Sequence, residues 1–143
     1  MTTGNTSLAS IRRHVLSPES HSLALLICSP GIDRPESFVT PLIHAIAARA
    51  LDIRVEIHFA GPAVRLLAEG VADALYPTPT REKSLGDFLR EASVSGATLL
   101  ACSMARSNLL TADATLIPEC DGMVGATAFV VRSFEPGWKT MVF

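Results

Sequence analysis

The chain has 143 residues, enough for one hydrophobic core and short of the length at which cores usually split into domains. It is 48% apolar but only 6% aromatic, so the composition is globular and the interior must rest on Ala, Leu, Val and Ile. A formal charge of -2 with no run of Lys or Arg argues against nucleic acid and membrane surfaces as partners, and the longest apolar run, Leu23 to Cys28, is far short of the roughly 20 residues of a spanning helix.

Residues 1 to 21 are rich in Ser and Thr and lack a sustained apolar period, which predicts a flexible arm with a short helix around Leu8 to Leu16. No apolar stretch follows the arm's first basic residues, so a cytoplasmic location is expected. The segment Thr2-Thr3-Gly4-Asn5-Thr6 has the composition of a flavodoxin phosphate loop, but no strand precedes it and the likeness is one of composition alone. From residue 22 to 143 a single α/β domain is predicted. Leu23 to Cys28 is a continuous apolar run that stops at Ser29-Pro30-Gly31, the pattern of a strand buried on both faces. Leu42, Ile43, Ile46, Ala47 and Ala50 then recur at helical spacing after Pro41, predicting a helix over 38–51. A second strand over 53–60 ends at Gly61-Pro62, which opens a short helix over 62–69 closed by Gly70.

The prolines at 77 and 79 mark a connection. Ser84 with Asp87 resembles a capping box, and Leu85, Phe88, Leu89 and Ala92 give the helix over 85–94 one apolar face. A third strand over 97–102 ends on Cys102. Helical stretches over 103–110 and 112–116, a turn at Asp121-Gly122, a strand over 125–131 and a short edge strand over 138–143 complete the pattern. Alternation of strand and helix with few hairpin signals predicts a three-layer, flavodoxin-like α/β sandwich with a mainly parallel sheet of about five strands.

Open parallel sheets bind ligands beyond the carboxyl ends of their strands. That rule gathers Ser29 and Gly31 from the first strand, Gly61 from the second, and Cys102, Ser103 and Met104 from the third as candidate site residues. Cys102 is the nucleophile among them, and a following helix N-terminus favours thiolate over thiol. Cys28 reads as strand packing and Cys120, between Glu119 and Asp121, as loop filler. Spacing places neither His44 nor His58 at the Cys102 edge, and no ligand-like spacing supports a metal. Arg106 reads as a solvated helix charge, with attraction of an anionic thiosulfate group as the alternative. Val124, Ala126 and Phe129 fit a subunit contact and core packing equally well.

The order of these elements, with the Phe59-Ala60-Gly61-Pro62-Ala63-Val64 junction, Leu99-Leu100-Ala101-Cys102-Ser103-Met104 and Asp121-Gly122-Met123-Val124-Gly125-Ala126, resembles the DsrE/DsrF-like family of small sulfur-handling proteins. The resemblance implies a flavodoxin-like fold and a homotrimer or hexamer. It also implies that Cys102 carries a persulfide or thiosulfonate sulfur between thiols of donor and acceptor proteins, TusA-like carriers among them, with no metal or organic cofactor. Where the most similar branch of the family has a serine three residues after the cysteine, this chain has Ala105. Some family members serve as non-catalytic subunits, so an assembly subunit with an inert Cys102 is the alternative.

Overall fold

The computed structural model describes residues 21–143; residues 1–20 of the expected arm, with the helix around Leu8 to Leu16 and the Thr2 to Thr6 segment, lie outside them. The elements are β1 (Ser22–Ile27), α1 (Val39–Ala50), β2 (Arg54–Phe59), α2 (Leu85–Val94), β3 (Thr98–Cys102), α3 (Ser103–Leu109), β4 (Cys120–Val124), α4 (Ala126–Phe134) and β5 (Trp138–Val142), with 3₁₀ helices at Pro35–Phe38, Gly61–Leu67 and Ala72–Ala74. All five strands are parallel, in the order β4-β3-β2-β1-β5. The molecule is a flavodoxin-like α/β sandwich, as the alternating pattern predicts.

Right-handed crossovers decide which helix lies on which face. From β1 to β4 the chain steps in one direction across the sheet, and α1 and α2 pack on the same face. Leu25, Ile27, Ile57, Phe59 and Leu99 point to that face, are fully buried, and meet Leu42 of α1 and Leu89 of α2. Each such side chain contributes about 1.5–3 kcal/mol through burial. The step from β4 to β5 runs back across the whole sheet, so α4 lies on the opposite face. Its Arg132 reaches Glu56 and its Phe129 touches His58, both of β2.

Several sequence expectations hold, and their causes are visible. The Ser84 capping box is formed, with Asp87 N–H donating to Ser84 Oγ at 3.1 Å and Ser84 N–H to Asp87 Oδ2 at 3.1 Å. The predicted edge strand is β5, which pairs with β1.

Two predicted helices and one predicted strand are corrected. The helix over 62–69 is a 3₁₀ helix that stops at Leu67, because the chain beyond it joins an antiparallel bridge: Ala68 pairs Leu116, and Glu69 N–H donates to Thr115 O at 2.8 Å. The same bridge removes the helix expected over 112–116. Arg106 fixes that segment as a loop by donating to the carbonyl oxygens of Thr111 (2.9 Å), Ala112 (3.4 Å) and Ala114 (2.8 Å), so its half-buried guanidinium holds backbone rather than standing free on the helix.

The third correction concerns the strand expected over 125–131. The strand is instead Cys120–Val124, and Ala126–Phe134 is helix. Asp121-Gly122 is not a turn but part of β4, where the pairing skips from Leu99↔Cys120 to Leu100↔Gly122. Asp121 Oδ2 accepts the Leu99 N–H at 2.9 Å in place of a ladder carbonyl, which satisfies the backbone at the irregularity. The β-branched residues after it are helical because a parallel β5 beside β1 requires a crossover. Tertiary topology overrides their strand preference.

Candidate functional site

Cys102 stands where the chain leaving two neighbouring strands parts. β3 runs directly into α3, whose buried Ala105 joins the core on the α1 and α2 side, whereas Gly125 after β4 leads into α4 on the other face. Such a divergence opens a crevice at the carboxyl ends of a parallel sheet. Ser103 Oγ closes one side of it by donating to Val124 O at 3.2 Å.

The half-buried Cys102 side chain forms part of the wall of two cavities. The first, of about 190 Å³, lies between the sheet and α4. Leu26, Val124, Ala126, Phe129 and Val130 give it an almost wholly apolar lining, and His58 and Cys102 are its two chemically active side chains. The second, of about 220 Å³, is a more open groove lined by Gly61, Met104 and Asn108 together with Cys102. Cys102 is the N-cap residue of α3, and its side chain makes no capping hydrogen bond.

His58 is the residue that sequence spacing missed. It was expected away from the Cys102 edge, inside a strand, yet both residues line one cavity. Register explains this: His58 pairs Leu100, and Cys102, two residues further on, points to the same face of the sheet as Leu100. Period-two alternation along each strand was readable, but the pairing of the two strands was not.

Beneath the cavity runs a charged chain. His58 Nε2 lies 3.1 Å from Glu56 Oε2, and Arg132 donates to both oxygens of Glu56, Nε at 3.1 Å and Nη2 at 2.6 Å. Arg132 Nη1 also reaches Glu135 at 2.6 Å, and the guanidinium lies 3.9 Å over the Trp138 ring. Burial pushes the Glu56 carboxyl up, but the hydrogen bonds from Arg132 and His58 and the charge of Arg132 outweigh it and hold the group below the ordinary glutamate range.

The structure thus brings Cys102, Gly61 and Met104 together. Ser103 instead anchors the end of β4 and faces a separate hollow with Arg106. Ser29 and Gly31 line neither Cys102 cavity; Ser29 N–H donates to Phe143 O at 3.2 Å, and Gly31 O accepts from Arg34 N–H at 3.0 Å, closing a turn. The Cys28 thiol lies 3.5 Å from the same Phe143 oxygen. Cys120 opens β4, not a loop, and burial pushes its thiol up. Val124, Ala126 and Phe129 line the first cavity rather than the core. Among the described residues no cluster of three or more His, Cys, Asp or Glu is arranged to hold a metal ion, and no helix is long and apolar enough to cross a membrane. Compared with known proteins, the chain matches no family model and no curated protein.

Proposed function

We propose that the protein is a thiol-dependent group-transfer protein. More specifically, it is a sulfur carrier of the DsrE/DsrF-like kind, in which Cys102 accepts a sulfane sulfur or thiosulfonate and passes it to a partner thiol. The observation that carries this reading is the position of Cys102 at the diverging ends of β3 and β4, with its side chain in the walls of two cavities. One cavity provides room for a bound sulfur adduct, and the open groove along α3 provides a route for a second thiol. Thiol exchange requires a thiolate, an accessible sulfur and a good leaving group, and no metal or organic cofactor.

A homotrimeric or hexameric assembly belongs to the same reading. Val130, Val131 and Phe134 of α4 and Val142 of β5 are exposed, Phe134 to 84%, and exposed apolar side chains that group into a patch favour an interaction site. TusA-like donor or acceptor proteins would approach the open groove.

Intact-mass measurement after exposure to thiosulfate, tetrathionate or polysulfide tests the reading. The expected result is one adduct on the native protein that disappears in Cys102→Ser. No adduct, or an adduct that survives the substitution, favours the assembly subunit with an inert Cys102.

A further inference from the structure

The apolar, partly open cavity that Cys102 and His58 both line narrows the class of donor. We propose that Cys102 takes its sulfur from an uncharged organic sulfane compound, an alkyl trisulfide in type, seated in this cavity with His58 as the group that moves the proton. The inference rests on the reading of Cys102 as a sulfur acceptor.

Charge is the first reason. No Lys or Arg lines the cavity. Arg132 below it is committed to Glu56, Glu135 and Trp138, and Arg106 to three backbone carbonyls. An oxyanion such as thiosulfate entering here would lose part of its hydration and meet no compensating cation, whereas an uncharged alkyl polysulfide loses little.

Size and surface are the second. An apolar protein cavity of about 150 Å³ holds a benzene molecule. The cavity here is about 190 Å³, enough for a trisulfide with short alkyl ends, and the Phe129 ring in its wall suits a polarisable sulfur.

His58 is the third. Its side chain is only 5% exposed, its Nε2 faces Glu56, and its Nδ1 carries no hydrogen bond among the described residues. With the Nε2 proton directed at the carboxylate, Nδ1 is left as the acceptor of a ring that lines the cavity.

The chemistry balances without an external oxidant or reductant. The Cys102 thiol gives its proton to His58, and the thiolate forms a bond to the central sulfur of R–S–S–S–R. One flanking S–S bond breaks, and its electron pair leaves on RS⁻, which takes the proton from His58 and departs as RSH. Cys102 retains the central sulfur as a mixed trisulfide, from which a partner thiol can take it by the same exchange.

The test compares dimethyl trisulfide with tetrathionate on the full chain, following the rate of adduct formation at Cys102 by intact mass and dividing each rate by that of glutathione with the same reagent. The expected outcome is a normalised preference for the trisulfide of about tenfold or more. Ala126→Phe, which fills the first cavity and leaves the groove at Gly61 and Met104 open, should abolish that preference. A preference below about tenfold in the native protein overturns the inference even if Ala126→Phe fails to fold. So does a folded Ala126→Phe variant that keeps the preference. Adducts formed with tetrathionate at the glutathione-relative rate of the trisulfide leave Cys102 as a carrier and remove only the uncharged donor. No adduct at Cys102 with either reagent removes both readings.

Discussion

Glu56→Ala tests the charged chain that ties α4 to the sheet. The substitution removes three hydrogen bonds to the carboxylate, from Arg132 Nε, Arg132 Nη2 and His58 Nε2. It leaves a guanidinium that is 27% exposed and an imidazole that is 5% exposed facing a vacated site. Hydrogen bonds to charged groups contribute about 1.5–3 kcal/mol each, but they are not additive, and water can reach Arg132. A loss of about 3 kcal/mol is therefore expected, near the lower end for breaking a buried ion pair. In urea, with a slope of about 2 kcal/mol/M, the midpoint should fall by roughly 1.5 M. The effect depends on pH. Because the folded protein holds Glu56 below the ordinary range, its stabilisation is complete above the unfolded-state pKa and is lost as pH falls through the folded-state value. Native and variant curves should then converge in acid. A neutral-pH difference under about 0.5 kcal/mol, or a gap that does not shrink on acidification, refutes the reasoning.

Gly61 holds φ at +52°, and a Cβ there would lie 3.0 Å from the Cys28 carbonyl oxygen. Gly61→Ala should cost about 1–2 kcal/mol and lower the melting temperature by roughly 5 °C, measured by circular dichroism; an unchanged melt contradicts the strained turn. Phe134→Glu should change the stability of the fold by less than about 0.5 kcal/mol because the ring is 84% exposed, yet reduce the mass measured by light scattering if α4 forms the subunit contact. An unchanged mass removes α4 from that role. Cys120, whose thiol burial pushes up, should resist iodoacetamide at neutral pH in the folded protein and label faster as pH rises. Labelling as fast in buffer as in urea contradicts this.

Local pattern was sufficient for most of the framework. Continuous apolar runs marked β1 and β3, the Ser84 and Asp87 pair marked the start of α2, and Gly61-Pro62 marked the end of β2. It failed where a long-range partner decides the conformation. Nothing near residues 112–116 announces that Leu116 will pair Ala68 or that Arg106 will hold three carbonyls there. Likewise, Thr127, Val130 and Val131 favour a strand locally, and only the return of β5 to the far side of β1 makes them helical. The site divided in the same way. The placement of Cys102 at the carboxyl edge was legible because it ends a strand, a local property, whereas that of His58 in the same cavity was not, because it depends on how β2 pairs with β3. Ser29 and Gly31 were gathered with Cys102 by the same end-of-strand rule, but β1 has β5 for a neighbour on one side, and its end is tied to Phe143.

One topological event accounts for both the cavity and the exposed surface. Because the described chain crosses back only once, α4 is the one helix among the described residues on a sheet face that spans five strands. A helix of nine residues does not span that face, and next to Cys102 the described residues leave the apolar cavity. On its other side the same helix presents Val131 and Phe134 to solvent. Anything that packs against those side chains presses on the roof of the cavity, and the Arg132 to Glu56 contact resists that displacement. Any assembly through α4 would therefore be mechanically linked to access to Cys102 from that side. A subunit contact there would set the width of the cavity without touching the thiol, whereas the groove at Gly61 and Met104, which α4 does not line, would stay open to a partner.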